Sequence, residues 1–282
     1  MSKEYSNYLK FIDDALILAK RIPRYFSKFS NKIYCNHQKL AILILMQKFK
    51  TTTRGIVSIL RASSDIRMHL GLYKIPVHTT IIRFAKKIGT KITKLLGIRQ
   101  AVNVGVDASG FELESKSYYY RTVWNSNKKQ KTRRYMKVSL SVDLDKLVIL
   151  KHKIRKKYRN DQIDFISTLK NIKVNRVFAD KGYDSKKNRQ FVFNKLKATP
   201  IIPVRRYTKF YGYQRGLRKI DGTDYHQRSK SETVFSMIKR KYGSVLKNKT
   251  LMTQKVELIS KLIAHNVDRM QHYFLFILRI AP

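Results

Sequence analysis

The chain has 282 residues, 43% of them apolar, with one cysteine and 61 Lys and Arg against 18 Asp and Glu, for a formal net charge of +43. That length and apolar content suit one large domain, or a small domain beside a larger one, and glycine and proline are too sparse for extensive disorder. The lone Cys35 excludes an internal disulfide or a cysteine metal cluster and suits a reducing cytoplasm. The charge excess selects a polyanion, and DNA or RNA fits best because phosphate neutralisation releases counterions. The plainer alternative is a ribosomal or chromatin-type protein that binds backbone only. No single basic amphipathic helix argues for a membrane surface. Met1-Ser2-Lys3-Glu4 carries no apolar signal region, and the apolar run from Tyr273 to Leu278 is too short to span a bilayer.

The first third reads as helical. Leu9 to Lys20 is one apolar-periodic run, and His37 to Lys48 is another, with Leu40, Leu43, Ile44 and Phe49 near one face. Thr51, Thr52 or Thr53 can cap the next helix, which carries Ile56, Ile59 and Leu60. A short segment runs from Asp65 to Leu70, and Pro76 breaks the pattern. His78 or Thr79 then opens a helix expected to continue through Ile88 to Leu95. Short basic helices with tight joints suit either a helix-turn-helix DNA reader or a plain helical support domain.

Near Gln100 the character changes. Val102, Val104 and Val106 alternate into a strand ending at Asp107, and Val138, Leu140 and Val142 form a second. Asp143 to Lys146 reads as a turn into a third strand, Leu147 to His152. A helix over Asp161 to Lys170 leads to strand Val177 to Ala179, which ends in Asp180. A helix from Ser185 to Leu196 follows, then an edge strand at Pro200 to Val204, because of its prolines. Helices are expected from Tyr225 to Tyr242 and from Thr253 to Phe276. Three strands, then helix, strand, helix, strand and helix, is the order of an RNase H-like fold. The expected class is therefore α/β: an RNase H-like mixed sheet with flanking helices over residues 99–282, preceded by a small all-α, DNA-binding domain over residues 1–98.

Scarce acids make their positions informative. Asp107 and Asp180 fall at strand ends, where such sheets present side chains to a ligand. Either alone could be a turn or helix-capping residue, as Asp184 is expected to be, and Asp143 and Asp145 read as hairpin acids. With Glu232 on a neighbouring helix, the three carboxylates suit Mg²⁺ or Mn²⁺ and two-ion phosphodiester chemistry. Tyr225, Arg228, Glu232 and Lys239 are spaced three, four and seven apart, which returns to one helix face. The carboxylate can bind metal there while the cations grip phosphates. An exposed Arg228–Glu232 pair is the plainer account, and it leaves Tyr225 and Lys239 unexplained.

At these residues the chain resembles the DDE transposases of prokaryotic insertion sequences, closest to the groups numbered four and five. Their signature, Tyr-x2-Arg-x3-Glu-x6-Lys, is complete from Tyr225 through Arg228 and Glu232 to Lys239. Val106 to Phe111 and Ala179 to Ser185 resemble the two aspartate motifs, and Ala264-His265-Asn266 a further one. Ile75 to Thr80 with Arg83-Phe84 resembles the end of the family's N-terminal domain. The resemblance implies that Asp107, Asp180 and Glu232 ligate two Mg²⁺ ions, which Mn²⁺ can replace. It implies cutting at the element ends by water, then attack of the freed 3′-hydroxyl on target DNA. Arg228 and Lys239 would hold backbone near the cut and Tyr225 a phosphate or base. A homodimer or higher assembly on double-stranded DNA is expected, nucleoid-associated in the cytoplasm and away from membranes. Roughly 50 residues separate Asp180 from Glu232, which leaves no room for the β insertion that some relatives carry.

That interval instead holds a basic loop. Arg205, Arg206 and Arg218, interleaved with Tyr207, Phe210 and Tyr213, suit DNA backbone and unstacked bases, or else a solvated surface. Lys128 to Arg134 beside Trp124 invite the same reading. His152, His226 and His265 form no metal spacing and are read as structural or DNA-adjacent. Two rivals remain: a plain RNase H-like nuclease, and a catalytically silent DNA-binding repressor descended from a transposase.

Overall fold

The structure, a computed structural model, describes residues 3–96, 98–114, 135–156, 160–204 and 225–280. It divides into two compact units, Met1–Leu96 with Ile238–Pro282, and Gly97–Met237. The C-terminal segment groups with the N-terminal helices rather than with the sheet.

In the helical unit, α1 (Lys3–Ala19), α2 (Asn36–Lys48), α3 (Thr53–Ala62), α4 (Ser64–His69) and α5 (His78–Ile88) follow one another. The starts of α2, α3 and α4 have local causes. The Cys35 sulfur accepts from the Gln38 amide and the Gln38 side chain accepts from the Cys35 amide, closing a capping box on α2. The Thr52 hydroxyl caps α3 at Gly55, and the Ser63 hydroxyl caps α4 at Ile66. The helix expected to reach Leu95 stops at Ile88, because Gly89 takes a φ of +51°. A 3₁₀ stretch, Gly89–Leu96, carries the chain onward and still buries Ile92, Leu95 and Leu96.

The one-faced pattern expected for α2 is also wider than spacing suggested. Every residue from Leu40 to Met46 is buried, because α1, α5 and the C-terminal helix pack around it. That C-terminal helix, Leu251–Ile280, buries Val256, Leu258, Ile259, Leu262, Ile263 and Val267. Its Glu257 carboxylate accepts from the Lys247 and Asn248 amides at 3.0 and 2.9 Å, and so fastens the incoming loop. Lys261 donates to the Gly243 and Val245 carbonyls at 2.9 and 2.7 Å. Among the described residues, no helix is long and apolar enough to cross a membrane.

In the second unit, β1 (Gln100–Leu113), β2 (Tyr135–Asp143) and β3 (Val148–Arg155) form an antiparallel meander. α6 (Gln162–Leu169) crosses over to β4 (Lys173–Ala179), which pairs parallel with β1. α7 (Lys186–Gln190) runs into a π turn, Phe191–Lys195, and β5 (Thr199–Ile201) joins β4 in parallel. The sheet order is β3-β2-β1-β4-β5. β5 lies at the end of that order, where its Pro200 costs least. α8 (Ser229–Tyr242) follows. One face of the sheet packs Val104, Val106, Val177 and Ala179 against Phe165, Leu169 and Tyr183. The other face gathers Leu144, Phe178 and Ile201, with Tyr225 against them.

Several acids are spent on this scaffold. The Asp143 carboxylate accepts from the Asp145 and Lys146 amides and shapes the β2–β3 turn, as expected of a hairpin acid. Asp164, inside the core, is forked by Arg155 at 2.6 and 2.8 Å. Asp184 is not the cap of α7, a role taken by the Ser185 hydroxyl; it pairs instead with buried Arg189 at 2.8 Å.

His152 on β3 provides a pH test of this scaffold. The residue is half-buried, and its Nδ1 is sealed from solvent. Burial, then Lys151 and Lys153, lower its pKa from 6.5 to about 4. The unfolded chain takes this proton below pH 6.5 and the folded chain only below about 4, so stability is full above that window and falls within it. Lowering the pH from about 7 to about 4.5 should cost about 2 kcal/mol at this site. Urea unfolding should show that loss in the native chain and a reduced one in His152→Phe; identical pH slopes would contradict the assignment.

Candidate active site

β1 and β4 run parallel in register, and their pairing ends at Val106 with Ala179. Asp107 and Asp180 are the next residue on each strand, so the register brings them to the same level at one end of the sheet. The expectation that β1 ends at Asp107 needs correction. β1 continues to Leu113, with Asp107 paired to Leu140 of β2. What ends there is the β4 side of the pairing, and that gap opens beside the Asp107 carboxylate. β4 does end at Ala179, and Asp180 opens a 3₁₀ turn, Lys181–Tyr183.

Each aspartate is fixed by the amide that follows it. Asp107 Oδ1 accepts from Ala108 N at 2.8 Å, and Asp180 Oδ1 accepts from Lys181 N at 2.7 Å. Neither second oxygen makes a hydrogen bond to a described residue, which leaves an acceptor on each carboxylate for a cation.

Glu232 lies in the first turn of α8. Gly105, two residues before Asp107, explains how that helix comes so near the strand. A Cβ at Gly105 would stand 2.6 Å from Leu144 Cδ2 and 3.2 Å from the Cβ of Ser231, the residue before Glu232. The bare glycine admits this approach. Gly105→Val should therefore push α8 outward. We expect a loss of catalysis of about 10²-fold, the size of effect that a misplacement near 1 Å produces, with Gly105→Ala milder. Unchanged turnover in a folded Gly105→Val protein would show that this approach does not position Glu232.

The regular part of α8 begins at Ser229, so Tyr225 and Arg228 precede it instead of lying within one long helix. Tight turns link the two segments, Arg228 N to Tyr225 O at 3.0 Å and Ser231 N to Arg228 O at 2.9 Å. They still place Arg228 beside Glu232, with Nη2 to Oε1 at 2.7 Å. The guanidinium lies 5.7 Å from the Tyr225 ring centroid. Glu232 is 55% exposed and Arg228 only 21%, so the pair itself adds little stability.

The electrostatics tie these groups into one site. Asp107 has a raised pKa, chiefly through burial; Glu232 and Asp180 add to the rise, and the Ala108 amide and Arg228 oppose it. Burial disfavours the charge on Arg228, but Tyr225, Glu232, Asp180 and Asp107 together hold its pKa above the usual value. Arg228 is thus the shared counter-charge of three carboxylates. Among the described residues, no three His, Cys, Asp or Glu side chains are drawn into a closed metal cluster. Asp107, Asp180 and Glu232 feel one another's charge without that closure, and Glu232 is held by Arg228.

The sequence signature did not single out Tyr183. Its ring packs 5.6 Å from Phe165, and its buried hydroxyl has no hydrogen-bond partner among the described residues. Burial, then the charges of Asp107, Asp164 and Asp180, push its pKa far above the usual phenol value. Only its place three residues after Asp180 could have flagged it. Lys239 lies seven residues beyond Glu232 on α8, in the helical unit. Arg205, Arg206 and Arg218 lie outside the described residues, as do Lys128 to Arg134 and Trp124.

A mixed sheet in this order, with helices on both sides and acids at the end of its parallel pair, defines an RNase H-like protein. The model of the transposase DDE domain family matches residues 103–267, more than half of the chain, and the chain belongs to that family. Transposition of DNA is the activity class of that family, and its members generally depend on divalent metal. Among curated proteins, none matches the chain.

Proposed function

We propose that this chain cuts DNA at the ends of an insertion sequence and transfers the freed 3′-hydroxyl into target DNA. Asp107, Asp180 and Glu232 are the ligands of two Mg²⁺ ions, for which Mn²⁺ can substitute. The observation that carries this reading is the mutual electrostatic influence of Asp107, Asp180 and Glu232, with Arg228 as their common counter-charge, in a chain of net charge +43. Hard oxygen donors suit such ions. An electrostatically strained acid such as Asp107 gains most from a divalent neighbour, so the donor set fits. When bound, the metal supplies charge stabilisation at the attacking and leaving oxygens of the phosphodiester.

The chain's own residues do the rest. Asp107 and Asp180 each offer one oxygen from a carboxylate already aimed by a backbone amide. Glu232, now held by Arg228, would serve as the third carboxylate ligand, and the Arg228 guanidinium would grip two phosphate oxygens of the DNA. Tyr225, braced on Leu144, Phe178 and Ile201, contacts a phosphate or base beside the cut. Lys239, Arg205, Arg206 and Arg218 add backbone contacts, the N-terminal helices bind the element end, and two or more copies pair the ends.

The test is an assay with duplex carrying the element's terminal repeats, Mg²⁺ and a target plasmid. Both nicked and joined products are expected. Cleavage with no joined product would favour the plain nuclease, and binding without either reaction would favour the repressor.

A further inference from the structure

At the opposite end of the sheet from Asp107 and Asp180, the strands β1 and β4 begin beside an open groove of about 1170 Å³. Arg99, Lys170, Lys173, Lys195 and Lys197 line it, and it has no acidic lining residue. All five cations are exposed, and none forms an ion pair with a described residue. The fold forces them together. Lys173 N donates to Arg99 O at 2.8 Å, which sets the two strand starts side by side, and Asn171 and Lys197 sit in left-handed turns that bring their loops to the same rim. The crowding has a cost. Lys151 donates to the Lys170 carbonyl at 2.8 Å, and its pKa is lowered by burial and then by Lys170, Arg99 and Lys153. An ordinary solvated face interleaves acids with its cations; a concave wall of one sign calls for a polyanion.

We propose that this groove is a second binding site for duplex DNA, gripping phosphate backbone at a distance from the cut. It rests on the DNA-processing reading above. Seven residue steps along β1 lead from Gln100 to Asp107, which places the groove about 23 Å from the carboxylates. A duplex lying along the sheet covers that span with about seven base pairs. The groove therefore holds a part of the duplex that does not react, and it anchors the DNA during the reaction at the other end.

The experiment is anisotropy titration of the full chain against a long labelled duplex of about 30 base pairs, between about 50 and 200 mM salt. Replacing Lys170, Lys173, Lys195 and Lys197 together by Gln should lower the log–log slope of the native protein by about 4. Arginine at the same four positions should restore it. An unchanged slope in the Gln variant would overturn the proposal. If the fourfold variant does not fold, Lys195→Gln with Lys197→Gln, both exposed, should still lower the slope by about 2. This readout is equilibrium binding. A native chain that binds the long duplex through the groove but joins no DNA would fail the function proposed above without touching this one.

Discussion

Strand transfer should fall by about 10³-fold or more when any one of Asp107, Asp180 and Glu232 is replaced by Ala, a loss of about 4 kcal/mol in transition-state stabilisation. The three losses should not add. With two ions shared by three carboxylates, as proposed, one missing ligand would already break the arrangement, and a double variant should be little worse than a single one. The same substitutions should leave folding nearly untouched. Asp107 is held at a cost, since burial and its acidic neighbours all disfavour its charge. Asp107→Asn should hold unfolding stability of the metal-free chain within about 1 kcal/mol of the native value, or raise it. Turnover measured with pre-cut ends, paired with urea unfolding, separates this outcome from a structural role. A variant that loses activity and stability in step would place Asp107 in the scaffold instead.

Asp268 should show the reverse pattern. It is buried on the C-terminal helix, which becomes α9 (Leu251–Ile280) in chain order. Its carboxylate pairs with Lys48 of α2 at 2.6 Å, accepts a short hydrogen bond from the Tyr242 hydroxyl, and lies 3.4 Å from Lys241. One side chain thus ties α2 and the end of α8 to α9. Burial works against the charge, but the bonds from Lys48 and Tyr242 and the charges of Lys48 and Lys241 outweigh it and hold the pKa below the usual range. Asp268→Ala leaves the half-buried Lys48 ammonium without its carboxylate and the Tyr242 hydroxyl with only the Ala264 carbonyl, a loss expected to cost about 1–3 kcal/mol. Its stabilising effect is present above the unfolded carboxylate range and fades as pH falls through the lower folded value. Urea unfolding of Asp268→Ala near neutral pH checks the size; a shift below 1 kcal/mol on the order of a surface pair would contradict the account.

Periodicity alone made much of the fold legible. The alternation of Val138, Leu140 and Val142, and the turn acids after them, located β2, the hairpin and β3. The order of elements implied the sheet that joins β1 to β4. What remained hidden depended on partners distant in sequence. Nothing in Val102 to Asp107 tells that β2 outlasts β4 as a neighbour and carries β1 on to Leu113. Gly89 stopped a helix that its apolar spacing would have continued. α9 reads like any amphipathic helix, and only packing shows that it belongs with the N-terminal helices.

The site was legible because acids are scarce and their spacing to Tyr225, Arg228 and Lys239 is distinctive. Its poise was not. That Glu232 is bound to Arg228, that Gly105 sets the approach of α8, and that Tyr183 is buried beside the aspartates all require coordinates. The basic groove escaped sequence reading for a related reason: Arg99, the Lys170–Lys173 connection and the Lys195–Lys197 stretch are far apart in sequence, and no local run announces them.

The central claim is that Asp107, Asp180 and Glu232 jointly hold divalent metal. Mn²⁺ binding to the full chain on duplex DNA, followed by electron paramagnetic resonance, tests it directly and needs no turnover. The account predicts two bound ions per native chain, and loss of that binding in Asp180→Ala with folding and DNA affinity retained. Unaltered Mn²⁺ binding by Asp180→Ala, Asp107→Ala and Glu232→Ala alike would contradict it.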